Sequence, residues 1–238
     1  MKWLLVRIAP MVVAIAACTA VWPAQGEAME TKGALPRETG VVPLPRPRLD
    51  SGTSVEKALL SRRSIREYRD EPLTLAEVGQ LLWAAQGVTA PRGRRTVPSA
   101  GALYPLELYL VAGKVGDLPP GIYHYRPQAH TLALVLAGDR RGELSGAAHQ
   151  ASIKKAPASL VFSALFARTT GKYGKRGVHY VYMDHGHAAE NVYLQAVALD
   201  LGTFVIGGFD DDALRRVMPF TPAEEPLSVM PVGRPRGR

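Results

Sequence analysis

Three arginines and a serine stand close together in the segment Arg-Arg-Ser-Ile-Arg at positions 62–66. Guanidinium groups donate paired hydrogen bonds to phosphate oxygens and compensate their charge, and a nearby hydroxyl adds another donor. Arg62, Arg63, Ser64 and Arg66 are therefore candidate ligands of a phosphate monoester. A solvated basic turn between two helices is the alternative interpretation of the same residues.

Two later segments are rich in small residues that would let a ligand approach the backbone. The segment Pro98–Pro105 precedes a strand, and its small side chains would allow a flat ligand to lie against the main chain. The segment Gly202–Phe209 contains the pair Gly207 and Gly208, whose backbone N–H groups would be free to donate. The alternatives are an ordinary structural loop for the first segment and a plain turn for the second.

The composition is that of a globular protein. Of the 238 residues, 47% are hydrophobic and 21% are charged, which excludes wholesale disorder, collagen-like repeats and a polytopic membrane protein. The single cysteine excludes a disulfide framework and a cysteine-rich zinc site. The formal net charge of +8 favours an anionic partner, without distinguishing nucleic acid, lipid and a phosphorylated cofactor.

The first 18 residues are typical of a secretory signal peptide. Lys2 and Arg7 precede or flank an apolar run, Ile8–Ala17, which is too short for a permanent membrane-spanning helix. The end of this run resembles a bacterial lipobox with Cys18 as the lipidated residue. Ordinary cleavage near Gly26 and an uncleaved signal anchor are the alternatives. The protein is therefore expected to be exported, either to the periplasm or with a lipid anchor in the membrane.

A proline-rich segment follows the signal peptide. Residues 19–50 have little apolar periodicity and contain four prolines between positions 36 and 47, which predicts a partly extended tether. The remaining residues, 51–238, are long enough to form one domain with its own core.

Caps and periodicity predict a mixture of helices and strands in this domain. Helices are expected from Ser54 to Arg62, from Thr74 to Gly87, from Asp184 to Leu201 and from Asp210 to Val217. Strands are expected at 107–112, 121–125, 131–136, 159–164, 203–206 and 227–232. Hairpins mixed with helices predict an α+β fold, in which helices flank a central, mostly antiparallel sheet.

Five segments, in this order, resemble the flavin-dependent nitroreductase superfamily. They are SRRSIREY at 61–68, PSAGALYPLELYLV at 98–111, GIYHY at 121–125, GKYGKRG at 171–177 and DHGHAAENVYLQAVALDLGTFVIGGFDD at 184–211. They look most like the SagB-type dehydrogenase branch, which includes the azoline oxidases of thiazole- and oxazole-containing peptides. The resemblance covers roughly residues 52–235 and implies a nitroreductase-like fold with FMN as the cofactor.

The resemblance assigns the basic residues to the FMN phosphate and to one edge of the ring. Arg62 and Ser64 would hold the phosphate, with Arg63 alongside. Arg66 would lie beside the N1 and C2 carbonyl edge, where a fixed cation stabilises the anionic reduced flavin. Arg234 would supply part of the basic tail that often completes the phosphate site in this superfamily.

The small-residue segments receive roles against the flavin ring. Pro98, Ser99 and Gly101 would contact the ring, while Gly207 and Gly208 would place a backbone donor near N5. Ala102 stands where the superfamily usually has an amide side chain, so the contact with the pyrimidine edge must come from elsewhere.

Lys172 and Tyr173 match a lysine and tyrosine pair that the azoline oxidases use to abstract a proton. Oxidising a C–H bond in a ring requires a base on one carbon while hydride leaves the neighbouring carbon. The alternative interpretation is that GKYGKRG at 171–177 is an ordinary basic loop retained for folding.

The resemblance therefore implies an FMN-dependent oxidoreductase that transfers hydride to or from a small, electron-poor substrate, with NAD(P)H as an expected electron donor. Members of this superfamily usually form homodimers. An azoline oxidase-like dehydrogenase is one alternative, and a catalytically inert flavin- or anion-binding lipoprotein is another. No metal site is expected, because His185 and His187 have no third ligand in reach, and no nucleic-acid-binding module is recognisable.

Overall fold

The computed structural model describes residues 40–237. The helices are α1 (Val55–Ser61), α2 (Leu75–Gln86), α3 (Arg141–Ala147), α4 (Ala151–Lys155), α5 (Phe166–Tyr173), α6 (Arg176–Ala198) and α7 (Asp211–Val217). The strands are β1 (Val41–Pro43), β2 (Val88–Ala90), β3 (Arg94–Arg95), β4 (Leu106–Ala112), β5 (Gly121–Arg126), β6 (Thr131–Ala137), β7 (Ala158–Ala164), β8 (Gly202–Thr203) and β9 (Glu225–Gly233). Two short 3₁₀ helices, Pro91–Gly93 and Ala100–Ala102, interrupt the loops between β2 and β4.

Seven strands form one sheet in the order β1-β6-β5-β4-β7-β9-β8, and every neighbouring pair is antiparallel. Strands β4, β5 and β6 follow one another as hairpins, whereas β9 lies between β7 and β8. The prediction of an α+β fold with a mostly antiparallel sheet is confirmed.

Both faces of the sheet are covered. Alternate residues of a strand point to opposite faces, and on β4 this separates Leu108 and Leu110 from Tyr109 and Val111. The first pair joins a cluster that contains the buried side of α2 and α6. The second pair joins a cluster with residues of α3, α4 and α7. The buried side of the long helix α6 therefore faces the first cluster, although its Tyr193 also packs against the second.

Local signals set the ends of several helices as the sequence predicts. Thr74 accepts a hydrogen bond from the Glu77 N–H, and the Glu77 carboxylate accepts one from the Thr74 N–H, which is a complete capping box. Ser54 caps α1 and Asp210 caps α7 in the same way, through their side-chain oxygens. These three caps confirm the corresponding predicted helix starts.

The predicted tether is wrong for its last part. Strand β1 pairs with β6 from Val41 to Pro43, and Leu44 is buried in the core. Farther on, the Gln80 side chain accepts a hydrogen bond from the Arg48 N–H at 2.7 Å and donates one to the Arg48 carbonyl at 3.0 Å. Proline is tolerated here because β1 is an edge strand. The folded domain therefore includes residues 40–48, while the predicted signal peptide, Cys18 and residues 19–39 lie outside the described residues.

The predicted start of the long helix is also wrong. Helix α6 begins at Arg176, eight positions before Asp184, so Asp184 lies inside the helix and caps nothing. Within residues 40–237, no helix is both long enough and apolar enough to cross a membrane.

Candidate functional site

The predicted phosphate-binding segment lies directly after α1 and beside the short strand β8. Ser64 forms a parallel bridge with Thr203, and the Ile65 N–H donates to the Thr203 carbonyl at 3.0 Å. Gly202 makes this approach feasible, because a Cβ at that position would lie 2.6 Å from the Cβ of Ile65. The segments at 62–66 and 202–208, which are far apart in sequence, are therefore joined in space.

Tyr193 of α6 holds the two segments together. Its hydroxyl accepts a hydrogen bond from the Val205 N–H at 2.9 Å and lies 3.5 Å from the Ser64 hydroxyl. The guanidinium of Arg62 is 5.2 Å from the centre of the Tyr193 ring. Nearby, the guanidinium of Arg66 is 4.7 Å from the centre of the Phe204 ring. We call this group the arginine site; it consists of Arg62, Ser64, Arg66, Tyr193, Thr203, Phe204 and Val205.

The cations of the arginine site are available to an anion. Arg63 donates to the carbonyls of Leu60 and Arg62, and among residues 40–237 no ion pair is found for Arg62, Arg63 or Arg66. The buried Thr203 hydroxyl has no hydrogen-bond partner in the described part of the chain. Arg62 is half-buried, whereas Arg63 and Arg66 are exposed. Guanidiniums beside hydroxyl groups fit a phosphate monoester, so the residues present fit the phosphate of FMN.

Gly207 and Gly208 follow the arginine site along the chain and are exposed. The preceding Ile206 exchanges backbone hydrogen bonds with Val229 of β9 at 2.9 and 3.0 Å, which fixes the start of this loop. A Cβ at either glycine would meet no atom within 4 Å. Their role as donors to the flavin ring stays a prediction.

Arg234 does not contact the arginine site. Its guanidinium pairs with Glu77 at 2.9 Å and with Glu71 at 3.3 Å. Burial raises the pKa of Glu77, but hydrogen bonds from Thr74 and Arg234 outweigh burial and leave this pKa lowered. The charge of Arg234 is thus already compensated by two carboxylates, which disfavours its predicted role at the phosphate.

The loop that contains Pro98, Ser99 and Gly101 has a strained backbone. Positive φ angles occur at Gly101 (64°), Ala102 (55°) and Tyr104 (46°). Non-glycine residues rarely adopt this left-handed conformation, and such strain often accompanies binding and catalytic loops. The Ser99 hydroxyl accepts the Tyr104 N–H at 2.9 Å and so closes the loop on itself.

Asp184 anchors this loop to α6. The residue is 4% exposed; hydrogen bonding from Ser99 and the Ala100 N–H favours its charged form, whereas its Oδ2 atom has no hydrogen-bond partner in the described part of the chain. Burial raises the pKa of Asp184, although the two hydrogen bonds and the nearby His187 act in the opposite direction. A carboxylate inside the helix therefore serves the loop rather than the helix end.

Lys172 and Tyr173 lie directly against Gly101. A Cβ on Gly101 would be 2.7 Å from the Tyr173 hydroxyl and 3.1 Å from Lys172 Nζ. The absence of a side chain at position 101 therefore makes room for both groups. We call this second group the glycine-loop site; it consists of Ser99, Ala100, Gly101, Lys172, Tyr173 and Asp184.

Arg168 ties α5 to the same loop. Its guanidinium donates to the Tyr104 carbonyl at 3.1 Å and pairs with Glu107 of β4 at 2.7 Å. The other carboxylate oxygen of Glu107 is 2.8 Å from Nε2 of His124. Burial raises the pKa of Glu107, but His124 and Arg168 outweigh burial, so this pKa is lowered. Because Arg168 and Lys172 are four residues apart on α5, the anchored face of the helix is also the face that carries Lys172.

Comparison with known proteins shows similarity over most of the described chain. The family model described as the nitroreductase family matches residues 59–234, which include both sites. The chain belongs to the nitroreductase family. It is accordingly an oxidoreductase, and the predicted membership of this superfamily is confirmed.

Three relatives illustrate the similarity. A provisionally named nitroreductase of Methanocaldococcus jannaschii is 46% identical over 181 residues, which cover 76% of this chain and 90% of the relative. The microcin B17-processing protein McbC of Escherichia coli is 30% identical over 132 residues, which are 52% of this chain and 48% of McbC. A solved nitroreductase-type structure from Ralstonia eutropha has a TM-score of 0.74 and 33% identity, and the match covers 87% of this chain and 97% of that structure.

In this nitroreductase-family chain the two sites diverge from a single helix. Asp184 and Tyr193 are nine positions apart on α6, which corresponds to two and a half turns. Their side chains therefore leave the helix in opposite directions, about 14 Å apart along its axis. Sequence reasoning missed the linking roles of both residues, since Tyr193 fitted an apolar helix face and Asp184 fitted a cap.

Proposed function

We propose that this protein is an FMN-dependent oxidoreductase that transfers hydride to or from a small, electron-poor substrate, with NAD(P)H as an electron donor. The observation that carries the proposal is the contact of Lys172 and Tyr173 with Gly101, in a chain that also keeps three arginines free of carboxylate partners among its described residues. When bound, FMN would supply hydride transfer at its N5 atom.

The arginine site would bind the anionic end of the cofactor. Arg62 and Ser64 would donate to the phosphate, with Arg63 adding charge from the exposed side. Arg66 would place a positive charge beside the ring, which favours the anionic reduced state. The Phe204 and Tyr193 rings beneath these guanidiniums would limit their motion, so that less conformational entropy is lost on binding.

The glycine-loop site would position the groups that handle protons. The Tyr173 hydroxyl and Lys172 Nζ lie where a substrate carbon or heteroatom above Gly101 would come within reach of a proton donor or acceptor. Asp184 and Arg168 fix the loop and α5 on either side of that point. The strained loop is thereby held in one conformation before any ligand arrives.

We propose that the active protein is a homodimer. Within one chain the arginine site and the glycine-loop site leave α6 in opposite directions. One flavin that contacts both sets of residues would therefore take them from two copies of the chain. A dimer with a two-fold axis would contain two such shared sites.

Mixing two inactive variants tests the dimer. At an FMN concentration too low to load Arg62→Ala, chains with Arg62→Ala and chains with Tyr173→Phe would each lack activity, but a mixed dimer has one site with both wild-type residues. Random mixing should restore about a quarter of the wild-type sites. No recovery after co-refolding, or a monomer in light scattering, would contradict the shared site.

An absorbance titration with FMN tests the cofactor. The purified protein should take up FMN and show the absorbance band of bound flavin at about 450 nm. Arg62→Ala should weaken binding at least tenfold, because one charge-assisted bidentate contact to phosphate is lost. Arg216→Ala, an exposed arginine on α7, is the matched control and should bind like the wild type.

Anaerobic addition of NAD(P)H separates the remaining alternatives. Bleaching of the flavin band supports a reductase that uses nicotinamide donors. A bound flavin that NAD(P)H leaves oxidised indicates a dehydrogenase with its own donor substrate. A colourless protein that ignores FMN would contradict the enzyme proposal and favour an inert anion-binding lipoprotein.

An azoline oxidase-like activity is the second candidate, favoured by Lys172 and Tyr173 at Gly101 and by the similarity to McbC. A short synthetic peptide that contains a thiazoline should then lose two hydrogens, detected by mass spectrometry. Lys172→Gln should abolish this conversion but leave FMN bound. An unchanged peptide in the presence of the flavin-loaded protein would exclude this candidate.

Export is proposed from residues 1–18 alone. If the segment is a lipoprotein signal, Cys18→Ala should release the protein from the membrane fraction of a bacterial host, and labelled palmitate should no longer be incorporated. A wild-type protein that carries no lipid label, and a compartment that Cys18→Ala leaves unchanged, would instead favour cleavage near Gly26.

A further inference from the structure

At the corner between α5 and α6, two adjacent aromatic rings lie between two cations. Lys172 Nζ is 5.3 Å from the centre of the Tyr173 ring, and this ring meets the Tyr180 ring edge-on at 5.1 Å. The guanidinium of Arg176 is 5.9 Å from the centre of the Tyr180 ring. We call Lys172, Tyr173, Tyr180 and Arg176 the cation–aromatic ladder. It starts at Gly101 and leads away from the glycine-loop site.

The backbone fixes this corner closely. Gly174 adopts a φ of 54° where α5 ends, and Gly177 is buried against α5. A Cβ at Gly177 would lie 2.8 Å from the Cα of Thr170, so the first turn of α6 and the last turn of α5 are in direct contact. The ladder therefore rests on two helices that cannot separate without losing this packing.

The electrostatic character of the corner is entirely positive. Residues 166–183 contain four lysines and arginines and no carboxylate. Arg168 is neutralised by Glu107, whereas Lys172, Lys175 and Arg176 are exposed and form no ion pair within the described residues. Within residues 166–183, an incoming anion would meet three cations without an ion-pair partner and no acidic side chain.

We propose that the cation–aromatic ladder selects substrates that carry a carboxylate on a planar aromatic ring. The inference rests on the proposed function, since the ladder begins at Lys172 and Tyr173. Tyrosine faces and edges accept a flat ring, and Arg176 with Lys175 pairs with a carboxylate at the far side of it. An unspecific solvated patch would lack the ring-by-ring contacts that hold these cations in place.

A matched pair of acceptors tests the inference. 4-Nitrobenzoate and its methyl ester differ in charge at the position that would face Arg176. Arg176→Gln should lower kcat/KM for the acid about fivefold relative to the ester. Comparing the acid-to-ester ratio between wild type and variant cancels the different intrinsic reactivity of the two nitro groups. Arg216→Gln removes the same charge from α7 and should leave the ratio unchanged.

Calorimetry provides a readout that does not depend on turnover. The flavin-loaded protein, without an electron donor, should bind 4-nitrobenzoate more weakly when Arg176 is Gln and more weakly at high salt. The selection would be overturned if the acid-to-ester ratio of kcat/KM were equal in Arg176→Gln and wild type. Equal losses of affinity for 4-nitrobenzoate in Arg176→Gln and Arg216→Gln would overturn it as well. A protein that binds no FMN would instead defeat the proposed function itself, so the two failures are distinguishable.

Discussion

The arginine site and the glycine-loop site use the same helix but are built in different ways. In the arginine site, the guanidiniums of the half-buried Arg62 and the exposed Arg66 lie over the rings of Tyr193 and Phe204, and the backbone has ordinary conformations. In the glycine-loop site, a strained loop is held by Asp184, which is buried, and is tied to α5 by Arg168. The first presents charge at the surface, and the second depends on buried anchors.

This difference indicates what each site can tolerate. A cation that binds phosphate needs charge and reach, so losing it should reduce affinity but not the folded state. A reactive pair needs a fixed distance to the substrate, so small displacements of the loop that supports it should reduce the rate. The predictions below test this division, beginning with the contact that underlies the arginine site.

Gly202→Ala should have the largest effect. The new methyl group would lie 2.6 Å from the branched Cβ of Ile65, which cannot move without breaking the hydrogen bond from Ile65 to Thr203. We expect a loss of about 3 kcal/mol in the free energy of unfolding, together with weak FMN binding. Gly142→Ala, in α3 with open space around the position, is the control and should not destabilise. Equal melting temperatures would contradict the close contact.

Gly101→Ala should affect the rate more than the fold. The φ of 64° costs an alanine about 1 kcal/mol, and its methyl group would lie 2.7 Å from the Tyr173 hydroxyl. Tyr173 is displaced, so we expect at least a tenfold fall in kcat with FMN affinity retained. Gly171→Ala on α5, where no atom is within 4 Å, is the matched control. A fall in FMN affinity without a change in kcat would reverse the roles of the two sites.

Arg234→Gln should have only a small effect on stability and on FMN affinity. The variant loses ion pairs with Glu71 and Glu77, which are partly exposed, so the free energy of unfolding should fall by no more than about 1 kcal/mol. FMN affinity, measured by the same absorbance titration, should stay within about twofold of the wild type. A loss as large as that of Arg62→Ala would return Arg234 to the phosphate site.

Asp184→Asn should give the smallest effect, visible as a pH dependence. Burial raises the pKa of Asp184 in the folded protein, so the stability contributed by the neutral carboxyl is present at low pH and is lost as the pH rises through that pKa. The melting temperature of the variant, which cannot ionise, should therefore rise relative to the wild type between about pH 4 and pH 8. A difference in melting temperature that stays constant with pH, or that changes in the opposite direction, would contradict a raised pKa of the buried Asp184 carboxyl.

Much of the fold was predictable where the signals are local. The capping box of Thr74 and Glu77 and the alternation along β4 to β6 depend on neighbouring residues, and the structure confirms them. The start of α6 was not predictable in this way, because the glycines of GKYGKRG at 171–177 are typical of a loop. Gly177 is needed instead for contact between two helices, and that contact is visible only in three dimensions.

The candidate site divides along the same line. The arginine cluster at 62–66 is recognisable because its chemistry is contained in five consecutive residues. The linking roles of Tyr193, Asp184 and Arg168 arise from contacts with residues that are 64 to 129 positions away in sequence. Arg234 shows the reverse problem, because its two acidic partners, Glu71 and Glu77, are far away in sequence and its own segment does not reveal them.

The position of strand β9 determines when the sheet can be completed during folding. This strand follows every other strand in sequence, yet it is inserted between β7 and β8, where it forms ladders on both sides. A ribosome must therefore deliver β9 before the sheet can close, and long-range pairing of this kind is slow. A nascent chain whose sheet forms late stays unfolded for longer. An unfolded chain can pass through a translocation channel, which is where the leader is proposed to direct this protein.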